Sequence, residues 1–179
     1  MIIIDKNKRL VRYIRDIDDA DCTTDPFDTI AEGAFSFASD VGRLSVSFNG
    51  RLVVEKKAFE KCNDLAAVKA HQIDDASDDC ELLFQHNAFK DCPKLCDIDL
   101  QVRENTNIVI ESEAFCNCPN LRTLLIDGSD ASKVDIHANA FSNCDRNRLM
   151  IIVKGKSSNN DRVACFAREN GIAYKHMVE

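Results

Sequence analysis

Apolar residues recur along this chain in two rhythms, one after the other, and the pair then starts again. Ala-Phe occurs at Ala34-Phe35, Ala58-Phe59, Ala88-Phe89, Ala114-Phe115 and Ala140-Phe141, with steps of 24, 30, 26 and 26 residues between the alanines. With each alanine as position 0, a large apolar residue stands at position −4: Ile30, Val54, Phe84, Ile110 and Ile136. Position +4 is cysteine in four copies: Cys62, Cys92, Cys118 and Cys144. Position +7 is Val41, Leu65, Leu95 and Leu121, with Asn147 breaking the rule. Spacings of three and four over this stretch predict a helical turn or short helix with one buried face. Apolar residues then alternate at +10 (Leu44, Val68, Ile98, Leu124, Met150) and +12 (Val46, Ala70, Leu100, Ile126, Ile152), which predicts a short strand with one buried side. Each unit therefore reads as helical turn, strand and return loop, with polar residues such as Asp91-Cys92-Pro93 and Asn117-Cys118-Pro119-Asn120 punctuating it.

No single unit can bury its apolar face alone. A period of 20–30 residues predicts a stacked solenoid, in which equivalent positions from successive units lie over one another. Burying a phenylalanine contributes about 2–3 kcal/mol, so the five anchor phenylalanines should form the main packing file. The fold class is α/β, a solenoid of about five units with a short parallel sheet on one side and helical turns on the other. The expected organisation is a single structural domain: an N-terminal cap or partial repeat over 1–29, five repeats over 30–153, and a C-terminal cap over 154–179.

Composition narrows the function. The formal net charge is −7, which disfavours nucleic acid and anionic membrane as partners, since both require a basic footprint. No window approaches the length of apolar chain a membrane span needs. The opening run Ile2-Ile3-Ile4 is too short for the core of a signal peptide. Nine cysteines make an odd, high count, yet four occupy one repeat position. Free cysteine behaves there as a small hydrophobe, so Cys62, Cys92, Cys118 and Cys144 read as a reduced internal ladder rather than disulfides or a zinc site, whose ligands must converge. Cys116 is expected on the outside of its turn; Cys22, Cys80, Cys96 and Cys165 follow no rule. Unpaired thiols and the lack of a visible signal favour a cytoplasmic, reducing compartment, with a cell-surface location the alternative if a leader has been removed.

The unit I-x-x-x-A-F-x-x-C-x-x-L-x-x-L-x-L resembles the BspA-like leucine-rich repeats, a bacterial and protozoan class. The resemblance is sharpest at residues 84–100 (FQHNAFKDCPKLCDIDL) and 110–126 (IESEAFCNCPNLRTLLI) and covers residues 30–153. The tail from Val163 to Tyr174 is similar to the short helix and extended piece that end such arrays, and Leu10–Tyr13 to the partial strand that opens them. The resemblance implies a curved, right-handed solenoid that binds other macromolecules. Relatives include surface adhesins, so an exported, adhesin-like host-contact protein lacking its leader is the alternative to a protein–protein interaction module or scaffold.

In such a solenoid the outward strand residues at +9, +11 and +13 make the binding face. They are Arg43, Ser45 and Ser47; Ala67, Lys69 and His71; Asp97, Asp99 and Gln101; Thr123, Leu125 and Asp127; and Leu149, Ile151 and Val153. The face runs from polar to apolar along the axis. The last, apolar strand is expected to be capped by the C-terminal segment, to pair with a second copy as a homodimer, or to meet a foreign protein. Catalytic patterns are lacking: no phosphate loop, no H-E-x-x-H, no nucleophile elbow. His71, His86, His137 and His176 are scattered, His86 and His137 at exposed turn positions, and a Cys96–His71 pair would span neighbouring strands. No enzymatic activity, cofactor or metal is expected. The acidic stretches Asp16–Asp21 and Asp74–Asp79 lack the spacing of a calcium loop and read as solvated loops.

Overall fold

Two parallel sheets, not a sheet and a layer of helical turns, form the walls of the molecule. The structure, a computed structural model, describes residues 2–13, 20–22, 28–73, 80–128, 130, 133–155 and 161–178. The back sheet contains β1 (Ile2–Ile4), β2 (Arg9–Tyr13), β4 (Thr29–Ile30), β6 (Arg51–Val54), β8 (Glu81–Phe84), β10 (Asn107–Ile110) and β12 (Val134–Ile136), in that spatial order. The front sheet contains β3 (Ala20–Cys22), β5 (Arg43–Phe48), β7 (Ala67–Gln72), β9 (Asp97–Gln101), β11 (Thr123–Asp127), β13 (Met150–Lys154) and β14 (Ala173–Met177). All strand pairs are parallel except β1–β2. The chain winds from back to front sheet and returns, giving a β-solenoid of about five turns.

The expected helical turns are replaced for a physical reason. The apolar residue at −4 ends a back-sheet strand, and a six-residue turn carries the chain to the front. In that turn positions −1 and +3 are left-handed: Lys57 and Lys61, Asn87 and Asp91, Glu113 and Asn117 all have φ of 57–60°. A right-handed helix cannot run through such residues. Short i→i+3 bonds close the turn, as in Ala88 N–H to the Gln85 carbonyl (3.0 Å) and Lys90 N–H to Asn87 (3.1 Å). The anchor phenylalanine's N–H instead bonds the next coil: Phe59 to the Ala88 carbonyl and Phe89 to that of Ala114, both at 2.7 Å. The turns thus stack with backbone bonds just as the strands do, which satisfies their polar groups.

Inside, the anchor phenylalanines queue in one file. Ring centroids are 4.6 Å apart for Phe35–Phe59, 4.7 Å for Phe59–Phe89, 5.1 Å for Phe89–Phe115 and 5.5 Å for Phe115–Phe141, all stacked. Phe84 lies tilted against Phe89 and Phe115. The cysteine file runs beside them. Cys116 is buried, against expectation: it is short, and at its position in the repeat the flanking coils carry Lys90 and Ser142.

The last coil departs from the register expected of it. β13 pairs Leu124 with Ile151 and Ile126 with Val153, so Leu149, Ile151 and Val153 are fully buried and Met150 and Ile152 turn outward. One extra residue in the turn at 145–148, closed by Asp145 accepting from the N–H groups of Arg148 and Leu149, shifts the strand by one. A one-residue shift exchanges the faces of a strand. The edge of β13 is taken by the chain's own β14. Between them α1 (Arg162–Asn170) packs Val163, Phe166 and Ala167 inward, and Phe166 meets Phe141 at 6.1 Å, ending the aromatic file. Asp161 caps α1 through Oδ1, which accepts from Ala164 N–H at 2.9 Å; its other oxygen accepts from Tyr174.

The acidic stretch at 74–79 lies outside the described residues, as do residues 16–19 of the other. Ala20 and Asp21, read as loop, belong to β3 and pair with Leu44 and Ser45.

Candidate interaction surface

The front sheet presents three columns of outward residues, two residues apart along each strand. The first runs Arg43, Ala67, Asp97, Thr123, Met150; the second Ser45, Lys69, Asp99, Leu125, Ile152, Lys175; the third Ser47, His71, Gln101, Asp127, Lys154. Parallel, in-register pairing at one residue per coil puts each column in line. Arg43, Lys69, Asp97 and His71 are exposed, whereas Ser47, counted outward, is 4% exposed. Apart from Ser47, the outward positions of four of the five expected strands face as read, and in the fifth Met150 and Ile152 replace Leu149, Ile151 and Val153.

Charges are treated differently on the two sheets. On the back sheet and its turns three pairs form within the fold: Arg9 with Glu55 at 2.8 Å, Arg51 with Glu81 at 2.9 Å, Lys56 with Glu32 at 3.4 Å. On the front face Lys154 meets Asp127 at 3.2 Å, but Arg43, Lys69 and Asp97 form no ion pair among the described residues. The Glu or Gln at position −3 has a structural task. Glu55, Gln85 and Glu111 each accept from the N–H at position −2 of the preceding coil, Glu32, Lys56 and His86 respectively, at 2.8–3.1 Å.

The cysteine file is chemically quiet. Cys62, Cys92, Cys118 and Cys144 each donate S–H to the carbonyl of the preceding coil's anchor phenylalanine, at 2.9–3.1 Å. The neighbouring Cys92 thiol and burial hold the Cys118 thiol well above its usual range, and burial and the adjacent Cys118 push Cys144 up to about 12. At Cys92 the contact with Cys118 favours the thiolate, but Cys62 and burial outweigh it and the net direction is upward. Such thiols are poor nucleophiles at neutral pH. All eight cysteines with described side chains are free.

One pair has the look of a nucleophile and base. Ser112 Oγ lies 3.1 Å from His86 Nδ1. The same nitrogen faces the Ser112 carbonyl at 2.9 Å, which can only accept, so Nδ1 carries the proton and cannot withdraw one from the serine. Cys96 aligns with Ala66, a five-residue strand away from His71, about 16 Å at strand rise. Among the described residues no group of three metal-ligating side chains converges, and no helix is long and apolar enough to cross a membrane.

A second feature lies on the turn edge. There the +3 residues Phe37, Lys61, Asp91, Asn117 and Asn143 form one wall of an open groove of about 580 Å³, with Asn63, Pro93 and Pro119 opposite. Neither the back sheet nor this groove was legible from the repeat as first read. The apolar pairs Leu52/Val54, Leu82/Phe84, Ile108/Ile110 and Val134/Ile136 are the strand alternation that marks the back sheet.

The fold defines a parallel β-solenoid repeat protein. Residues 82–172 match the BspA type leucine rich repeat region (6 copies), and the chain belongs to this leucine-rich repeat family. No curated protein and no solved structure matches it.

Proposed function

We propose that this chain is a non-catalytic protein-binding module that engages its partner through the outward columns of the front sheet. The observation that carries the reading is the set of charges there that have no ion-pair partner among the described residues. Among the described residues Arg43, Lys69 and Asp97 form no ion pair on this rigid face, while Arg9, Arg51 and Lys56 on the back sheet and its turns are matched within the fold. Complementary charge gives specificity and association rate more than bulk affinity, so unmatched charges on a rigid array suit selective recognition. The outward Leu125, Met150 and Ile152 offer an apolar patch at the far end of the same face. Residues 1–29 and 154–179 act as caps on the repeats of 30–153, leaving the front face as the working surface. The four thiols of the file, each donating within the core, suit a reducing compartment.

A random peptide library displayed against the purified protein tests this. Selected peptides should lose at least tenfold in affinity with Lys69→Glu or Asp97→Lys and be indifferent to Lys133→Glu on the back. Binders insensitive to both front-face reversals overturn the reading.

A further inference from the structure

The turn-edge groove lies apart from the front face. Its +3 wall is a row of left-handed residues, and turn chemistry explains only part of that row. Asn and Asp adopt this conformation most readily after glycine, and the third to fifth coils use Asp91, Asn117 and Asn143. The first two coils use Phe37 (φ 62°) and Lys61 (φ 59°), which have no such preference. Phe37 is also 64% exposed, so its ring recovers little by burial. A bulky residue that is both strained and exposed marks a place where function, not packing, holds the side chain. Lys61 Nζ lies 5.3 Å from the Phe37 ring centroid, within reach of a cation–π contact.

Beyond the aromatic end, the groove offers planar hydrogen-bonding groups with capacity to spare. Asn117 donates to Asp91 Oδ1 at 2.6 Å and Asn143 donates to Asn117 Oδ1 at 2.8 Å, which leaves Asp91 Oδ2 and Asn143 Oδ1 without a hydrogen bond among the described residues. Asn63 on the opposite wall has no partner among the described residues. An exposed aromatic face followed by carboxylate and amide groups is the chemistry that recognises a sugar: the ring stacks on C–H faces, and the planar groups both donate to and accept from hydroxyls. The spacing agrees. Neighbouring coils are separated by 4.6–5.5 Å in the aromatic file, a step similar to the advance of one pyranose unit along a chain. Grooves for proline-rich peptides are lined by several aromatics, and this one has a single ring.

The geometry points to an oligosaccharide-binding site along this groove, with one sugar ring stacked on Phe37 and the following sugars hydrogen-bonded by Asp91, Asn117, Asn143 and Asn63. Saturation-transfer NMR with chitotriose, cellotriose and maltotriose as probes, and hexaproline as the rival, tests it. At least one trisaccharide should bind at millimolar concentration or tighter and shift the backbone amides of Phe37, Lys61 and Asn117. Phe37→Asn, which suits the left-handed backbone, should weaken binding at least fivefold while the melting temperature holds or rises. Asn63→Ala, which disturbs no left-handed residue, should weaken the same trisaccharide. Asp97→Lys on the front face should leave it unchanged. No saturation of any trisaccharide, binding indifferent to Phe37→Asn and Asn63→Ala, or preference for hexaproline overturns the proposal.

Discussion

Cys92 shows what a single repeat position must satisfy. The site is small and apolar, yet the Phe59 carbonyl of the preceding coil stands 3.1 Å from its sulfur. Alanine would leave space and no donor; serine would bring a strongly solvated hydroxyl into the core. A thiol is a small hydrophobe with a weak donor, and meets both demands. Ala38 holds the same place in the first coil, and no Ala-Phe pair precedes that coil in the sequence. The buried file also makes stability sensitive to alkali. Cys118 is raised in the folded state by the Cys92 thiol and by burial. Below about pH 8.5, the usual cysteine range, folded and unfolded chains both keep the proton and the contribution is whole. Above that, the unfolded chain releases a proton the folded chain retains, so stability falls as pH rises toward the folded value. The slope reaches about 1.4 kcal/mol per pH unit for each such thiol. Cys118→Ala should lose about 1–2 kcal/mol at pH 7. Urea denaturation from pH 7 to 10.5 should then show a shallower decline than in the native chain. Parallel declines would mean the file does not hold its protons.

At the scale of the element, register decides which residues carry the surface. Ile151 and Ile152 are neighbours of identical chemistry, one fully buried and one outward. Ile151→Asp places an unpaired carboxylate in the core and should cost about 3 kcal/mol or more. Ile152→Asp should change stability by under about 1 kcal/mol. The denaturant midpoints of the two variants measure this, and the reverse order would restore the register expected from the repeat. The sequence signalled the difference faintly: Asn147, where leucine was due, lies in the turn that holds the extra residue. Stacking was legible because Ala-Phe recurs at steps near 26 residues, and the outward columns were legible in four strands because period two fixes them. The back sheet was not. Val54, Ala58 and Cys62 stand at spacings of four that imitate a helical face, although the backbone between them turns through left-handed Lys57 and Lys61. Lysine has no bias toward that conformation, so only the stacking of coils imposes it. The groove was hidden for the same reason, since its wall consists of those turn residues.

The whole molecule is a one-dimensional stack, and the position of a defect should matter as much as its chemistry. Each coil pairs with the coils on either side, through both sheets, the turns and the aromatic file. Stability in such an array is close to a sum of coil terms and neighbour terms. Phe35, Phe89 and Phe141 are equivalent in the repeat and all nearly fully buried, so truncating any of them to alanine removes a similar contribution, about 3–5 kcal/mol. The consequences should differ. Phe89 is stacked between Phe59 and Phe115, and losing it weakens two coil junctions at the centre. Phe141 lies between Phe115 and Phe166 of α1, where the helix still closes the end. Phe35 stacks on Phe59 near the start of the array. Hydrogen exchange followed strand by strand should separate these cases. Phe35→Ala should lose protection in β5 and keep it in β11 and β13. Phe89→Ala should uncouple the halves, lowering the denaturant slope as unfolding splits into two steps. Equal loss of protection across every strand in both variants would show a molecule that unfolds as one cooperative body, with the file acting as a single core rather than a chain of neighbour contacts.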